Sequence, residues 1–490
     1  MSYKHFSRTI FIAFILVISV LPEEISGQSV LFSPEIIQPV EDSRASEAFW
    51  SVIVRDSSGT ILDGYNVNKL VRPASNLKLL TTAAILDALG ENYRYRTYMY
   101  GMGYQEGNVW KGDIIIRGMG DPSINGKFYN GNKFYVFEKF YAALDSAGIT
   151  RIDGNLIGND SYFDQHPYPK GWSWDDLSFY YGVEINALSF NENAVDLQVL
   201  SDKEVGEIPG IQWFPFDTDY VEFINEQVIT PPQSGYDEFY QRILGTNTIL
   251  LRSKVPQNYY EEESLSIMNA SLFFMDTFRK YLETGGIHLS GRIIIDSQSH
   301  DWESDAYKVF RVHRSPPLRE LLKEVNKESN NFYTEMLLKT AAAEHFDTRG
   351  STELGLRLVK DFAQAMGMDT TRIKMTDGAG MAPSTLLTME DLSNLLVQMQ
   401  HHESFTAYRN SLAVAGVDGS LKYRFRNSRL RKNLAGKTGY VSGVRALSGY
   451  MKASSGKPLI FSVAANNYAA RTSYIDRIQE SILQQIYDKY

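Results

Sequence analysis

Cysteine is absent from the 490-residue chain. That excludes disulfides, thiolate zinc sites, a cysteine nucleophile and a lipid-modified cysteine near the amino terminus. Long basic runs are missing too, and the formal net charge is −9. The chain therefore carries no electrostatic footprint for nucleic acid and gains no pull toward anionic membrane surfaces. No repeat at a fixed period and no low-complexity stretch occurs. The eight histidines include no His-Glu-x-x-His or other ligand spacing, so neither a metal nor a cofactor is expected. No apolar run reaches the ~20 residues of a membrane-spanning helix.

One short apolar run, Thr9–Leu21, follows the basic residues Lys4 and Arg8 and is broken by Pro22. It reads as an export signal over 1–27, cleaved before Gln28 and delivering the chain to the periplasm. Ile25-Ser26-Gly27 is not a clean small-x-small site, so an uncleaved N-terminal anchor stays open. The whole chain is 43% hydrophobic and 22% charged, enough for a large core and for more than one domain.

Alternating apolar residues predict strands at 48–55, 445–452 and 458–465. Ile475, Ile478, Ile482 and Ile486 share one face of a closing helix. Between the ends, 93–118 and 197–260 look like loop-rich β material, and helical patterns return from about 318. The pattern predicts one α/β domain built from both chain ends, interrupted by a large β-rich insertion.

Three short patterns carry chemistry. In the first, Pro73-Ala-Ser-Asn-Leu-Lys78 opens a helix whose apolar stripe is Leu77, Leu80, Ala84 and Ala88, ended by Gly90. Ser75 and Lys78, three apart, share a face at a helix N-terminus. A neutral amine there can take the serine proton. Second, Ser329-Asn330-Asn331 precedes a helical run from Phe332. Third, Lys437-Thr438-Gly439 starts an edge strand, where an amine, a hydroxyl and a residue without a side chain can bind a carboxylate and admit a substrate backbone. Taken singly, each is more often structural: an exposed pair, an N-cap and a solvated strand start. Their joint occurrence in this order, each in fitting context, is the signal.

The three motifs resemble those of the penicillin-binding proteins and serine β-lactamases. Arg72-Pro-Ala-Ser-Asn-Leu-Lys, Gly118-Met-Gly-Asp-Pro, Trp172-Ser-Trp-Asp-Asp, Tyr180-Tyr-Gly, Asp377-Gly-Ala-Gly, Ala415-Gly-Val-Asp-Gly-Ser-Leu and Leu447-Ser-Gly-Tyr narrow the likeness. They are similar to the D-Ala-D-Ala carboxypeptidase/endopeptidase family, peptidase S13, over nearly the whole mature chain. The long span between Ser75 and Ser329 also suits that family, in which domains are inserted there. Two positions depart from it. Tyr440 stands where many relatives carry Thr, and Met381-Ala-Pro follows Gly380 in place of the usual Leu-Ser.

The resemblance implies an α/β (α+β) β-lactamase/transpeptidase-like domain, its antiparallel sheet flanked by helices, over 28–92 and 300–490. It implies inserted β-rich domains over 93–190 with 275–299, and over 191–274. It also implies serine acyl transfer on peptidoglycan stem peptides and cross-links, with β-lactams as covalent inhibitors. Ser75 is the expected nucleophile and Lys78 the base. Lys437 is the nearby cation and carboxylate anchor, Ser329 the proton relay and Asn331 the anchor of the substrate amide. The N–H groups of Ser75 and Tyr440 form the oxyanion hole, Thr438 shares the carboxylate, and Gly439 leaves room for the backbone. For Asp175 and Asp176, recognition of a diamino acid is implied, more for Asp176, against a plain hydrogen-bonded loop. Rival readings are a serine β-lactamase and an inactive cell-wall-binding scaffold. Carboxypeptidase against endopeptidase balance, a homodimer and loose membrane association stay open at this level.

Overall fold

The computed structural model describes residues 33–41, 43–215 and 218–490; the expected export signal, 1–27, lies outside them. Among the described residues no helix is long and apolar enough to cross a membrane.

Both chain ends meet in one six-stranded antiparallel sheet. Its order is Ile61–Tyr65, Phe49–Asp56, Pro458–Asn466, Val444–Lys452, Leu434–Val441, Ala413–Val414. Side chains alternate across a strand, so each strand feeds two cores. Trp50, Val52 and Val54, with Leu459, Phe461, Val463 and Ala465, point to a core shared with helices Pro34–Glu41 and Thr472–Lys489. Ile53, Ile460 and Ala464 point to the opposite core. That second core holds helices Leu77–Leu89, Leu318–Asn326, Asn331–Phe346 and Met389–Met399. A sheet covered on both faces explains why its central strands are almost continuously buried.

Helix Leu77–Leu89 ends at Gly90, whose φ of 74° suits only glycine comfortably. Its burial is broader than the stripe read from sequence: Leu77 through Leu86 are all buried. A helix surrounded by protein must satisfy its polar side chains internally. Thr82 donates to the Lys78 carbonyl (2.6 Å) and Thr81 to the Gly378 carbonyl (2.8 Å).

The insertion is built on a seven-stranded mixed sheet. It contains the hairpin Arg96–Glu106/Val109–Arg117, with Leu156–Asn159 and Ile293–Asp296 in parallel register beyond it. Helices Tyr135–Ser146 and Ala270–Thr284 cover its apolar face. A three-stranded antiparallel sheet, Gly210–Phe214, Ala194–Leu200, Tyr260–Ser266, and two smaller sheets make up the nested region.

Two expected boundaries sit differently against these elements. Strand Lys308–Arg314 pairs with Arg96–Glu106, so the inserted sheet runs past 300. Position 274/275 falls inside helix Ala270–Thr284, which packs with the seven-stranded sheet. We place the neck of the insertion at residues 91–95 and 315–319. There Tyr95 and Ser315 exchange hydrogen bonds, Leu318 N–H donates to Tyr93 O (2.8 Å) and Arg319 N–H to Glu91 O (3.0 Å).

Leu80 is fully buried on the helix that follows Ser75. Truncating it leaves a cavity in a core that relaxes only in part, so Leu80→Ala is expected to cost about 2–5 kcal/mol in denaturant unfolding. A loss below about 1 kcal/mol would contradict the packing described.

Candidate active site

Ser75 sits in a short 3-10 turn, Ala74–Asn76, immediately before helix Leu77–Leu89. Ala74 has φ 47°, a left-handed conformation costly for a residue with a Cβ. Surrounding contacts hold the turn in that shape. A Cβ on Gly380 would lie 2.1 Å from the Ala74 carbonyl oxygen, and one on Gly439 would lie 2.4 Å from the Pro73 carbonyl oxygen. Two other chain segments thus press their backbones against the turn, and glycine is what lets them. Asn76 Nδ2 donates to Ser448 Oγ (2.7 Å), tying the turn to the central sheet.

Lys78 is fully buried. Its Nζ lies 2.8 Å from Ser75 Oγ, 2.6 Å from Asn331 Oδ1 and 3.1 Å from the Ala379 carbonyl oxygen. Burial lowers its pKa to about 7, against the opposing pull of Asp377 and Glu335. A neutral amine has two N–H bonds and one lone pair. Asn331 and Ala379 accept the two N–H bonds, which leaves the lone pair for the Ser75 hydroxyl.

Ser329 and Asn331 lie on either side of the residue that caps helix Asn331–Phe346. The cap is Asn330, whose Oδ1 accepts from Tyr333 N–H (3.0 Å). Asn330 takes the structural duty, which leaves Ser329 to bond Lys437 and Asn331 to bond Lys78. Ser329, at φ 63°, accepts from Lys437 Nζ at 2.8 Å. Lys437 is buried in strand Leu434–Val441 and also donates to the Thr438 carbonyl (2.8 Å). Burial pushes its pKa well down, with the charge of Lys78 adding to the effect.

The structure thus joins Ser75, Lys78 and Asn331 in one hydrogen-bonded group and Ser329 with Lys437 in a second, the two buried lysines close enough to act on each other electrostatically. Gly439 abuts the Ser75 turn. Ala413–Val414 pairs only with Ala435 and Gly436, so residues 437–441 form an open edge. Tyr440 is 56% exposed on that edge; its side chain is not needed to close the site, which fits a role for its N–H alone.

Asp176 stands apart, hydrogen-bonded to none of these side chains. It lies half-buried in the turn Asp176–Ser178, its pKa raised by burial and then by Asp175. Asp175 is exposed, and a hydrogen bond with Ser173 holds its carboxyl below the usual range. Both ends of their loop are anchored at the site. Trp172 Nε1 donates to Asp377 Oδ2 (3.0 Å), and Asn331 Nδ2 donates to the Tyr181 carbonyl (3.0 Å).

Four participants carried no role in the sequence reading. Ser420 Oγ is 2.8 Å from Thr438 Oγ1 and adds a second hydroxyl beside Lys437. Asp377 accepts from the N–H groups of Met381 (2.7 Å) and Ala382 (3.1 Å). That shapes the wall where Met-Ala-Pro replaces the usual residues, and Met381 sulfur takes a hydrogen bond from Asn331 Nδ2 (3.4 Å). Ala379 contributes only its carbonyl. Glu335 lies one helical turn beyond Asn331, fully buried. Ser420, Asp377 and Ala379 were within motifs quoted from the sequence; for Glu335 the available signal was an acid spaced i+4 from Asn331 on a helix. Among the described residues no group of three or more His, Asp or Glu side chains is arranged to hold a metal ion.

Known proteins share this architecture. A solved structure of penicillin-binding protein 4 (dacB) from Haemophilus influenzae superposes with TM-score 0.80 at 22% identity, covering 92% of this chain and 98% of that one. The fold is therefore that of a penicillin-binding protein carrying inserted β-rich domains. In sequence, a D-alanyl-D-alanine carboxypeptidase from Actinomadura sp. (strain R39) is 28% identical over 88% of this chain and 80% of its own. The D-alanyl-D-alanine carboxypeptidase DacB of H. influenzae is 25% identical over 84% and 83%. The sequence model of the D-Ala-D-Ala carboxypeptidase 3 (S13) family matches over residues 34–485, and with that span nearly the whole described chain, this protein belongs to that family.

Proposed function

We propose that this protein hydrolyses D-alanyl peptide bonds in peptidoglycan stem peptides and cross-links through an acyl-enzyme on Ser75. The observation that carries the reading is the arrangement of Lys78: a dry amine whose two N–H bonds are engaged and whose lone pair faces the Ser75 hydroxyl at 2.8 Å.

Ser75 Oγ attacks the substrate carbonyl carbon while its proton passes to Lys78 Nζ. The N–H groups of Ser75 and Tyr440 face the developing oxyanion, each donor worth about 3 kcal/mol. As the C–N bond breaks, the proton taken up by Lys78 passes to the leaving amine through Ser329, which Lys437 holds in place, and Lys78 is neutral again. Lys437, whose charged form the terminal carboxylate of the leaving D-alanine would favour against its burial, joins the hydroxyls of Thr438 and Ser420 in holding that carboxylate. Asn331 anchors the substrate amide. Water, deprotonated by Lys78, then attacks the ester, releasing the shortened peptide and free Ser75. Asp176 is the candidate for holding the amino group of a diamino acid in the stem.

A β-lactam ring presents the same kind of carbonyl, and a solved structure of the H. influenzae protein holds a β-lactam; we extend covalent β-lactam inhibition to this chain. Such a substrate requires placement outside the cytoplasmic membrane, and an export signal at 1–27 would deliver it to the periplasm.

Ser75→Ala is expected to abolish labelling by a fluorescent penicillin and release of D-alanine from a stem pentapeptide. Digestion of cross-linked peptidoglycan by wild type and Ser75→Ala, with products weighed by mass spectrometry, reads the endopeptidase component. A wild-type protein inert in all three assays refutes the reading. An adduct that turns over rapidly would point to a β-lactamase instead.

Acylation needs neutral Lys78, which is the deprotonated form above a pKa of about 7. The acylation rate should fall about tenfold per pH unit below 7 and level off above it. A rate flat through the acid range would remove Lys78 as the base.

Gly439→Ala places a methyl 2.4 Å from the Pro73 carbonyl oxygen and must displace the turn that aims Ser75. We expect acylation to slow by about a hundredfold, measured by stopped-flow penicillin labelling.

A further inference from the structure

The Ala379 carbonyl accepts one of the two N–H bonds of Lys78, and its own position has to be set by something. The strand and helix ladders do not set it. Glu335, on helix Asn331–Phe346 one turn past Asn331, reaches under the two peptide units that lead into this carbonyl. Its Oε1 accepts from Gly378 N–H at 2.7 Å and from Ala379 N–H at 2.8 Å. The Gly378 carbonyl is held from the other side by Thr81 Oγ1 (2.8 Å), one turn past Lys78 on the Ser75 helix. Asn331 and Glu335 thus fix both acceptors of the amine from a single helix, one directly and one through a peptide.

We infer that Glu335 is a positioning residue for Lys78: by gripping the N–H groups of Gly378 and Ala379 it aims the Ala379 carbonyl, and so the lone pair of Lys78, at Ser75. The inference rests on Lys78 being the base in the proposed reaction. What Glu335 supplies is an acceptor oxygen at the right reach rather than a negative charge.

The surroundings agree. Glu335 is fully buried, and its second oxygen, Oε2, has no hydrogen-bond partner. The charged groups facing it are Asp377 from the adjoining loop, Lys78 from the Ser75 helix, and Lys339 one turn further along its own helix. Lys339 is committed to Asp164 at 2.8 Å. Burial first and Asp377 second raise the pKa of Glu335 to about 8, against the two N–H groups and Lys78. Burial and the neighbouring Asp377 both favour the uncharged acid. A permanent anion there would hold a proton on Lys78 and spoil it as a base; an uncharged acid keeps the acceptor without that penalty.

The test measures the acylation rate constant and the non-covalent affinity separately, with a fluorescent penicillin on the full-length protein. Three variants are compared with wild type: Glu335→Leu, Glu335→Asp and Glu335→Gln. Leu removes the acceptor, and Asp withdraws it by about one carbon–carbon bond (~1.5 Å). Both are expected to slow acylation by about a hundredfold with affinity unchanged. Gln keeps an oxygen at the same reach and is expected to restore the rate to within about tenfold of wild type, with half-maximal acylation at no higher pH. A folded Glu335→Leu protein that acylates at the wild-type rate overturns the inference. So does a Gln variant as slow as Leu, since charge or proton would then be what matters. If Leu fails to fold, the contrast between Gln and Asp decides alone. Wild type that is never labelled at Ser75 would sink the functional reading itself, a separate outcome.

Discussion

An amine kept away from water is the constraint around which this molecule is organised. Moving the pKa of Lys78 from 10.5 to about 7 corresponds to roughly 5 kcal/mol of disfavour for its charged form. Such a group stays buried only where the chain supplies acceptors and dense packing around it. The helix that carries it is accordingly enclosed on all sides, and its threonines, which would ordinarily sit in solvent, are turned inward to bond carbonyls. The same enclosure explains why the neighbouring segments meet the Ser75 turn through glycines: side chains at 380 or 439 would hold the walls apart and let water reach the amine.

Much of the candidate site was legible from sequence because its residues come in short local patterns. Ser75 and Lys78 are related by helical geometry alone, and Lys437 and Thr438 by strand geometry. What sequence could not give was relations between patterns. The bond of Lys78 to Asn331 and that of Ser329 to Lys437 join segments far apart in the chain. Glu335 looked like any acid on a helix; its meaning comes from the loop 377–379 packed beside it. The apolar stripe Leu77, Leu80, Ala84, Ala88 was correct but too narrow, because hydropathy cannot foresee polar side chains whose partners arrive from elsewhere. The return of the insertion was placed too early for a similar reason. Strand Lys308–Arg314 is half-exposed and charged, and only its pairing with Arg96–Glu106 reveals it.

The insertion is more than an appendage. Its loop 172–181 is fastened to Asp377 at one end and to Asn331 at the other, so Asp176 is presented from a frame held at the candidate site. Lower on the same helix, Lys339 reaches out of the transpeptidase-like domain to Asp164, the His166 carbonyl and the face of the Phe163 ring. A single helix therefore touches Lys78 at its first turn and, two turns further on, the insertion. Recognition loops and reactive groups share one rigid support.

The neck at 91–95 and 315–319 brings the chain's departure and return side by side. Geometrically the inserted block behaves as a cassette: segments can be lengthened, trimmed or exchanged within it without rethreading the central sheet. Complete excision is another matter. It would strip Asp164, the His166 carbonyl and the Phe163 ring from Lys339 and open to water the face that now encloses that amine. Descent can thus remodel this block freely at its far end while remaining bound to the small portion of it that keeps Lys339 company.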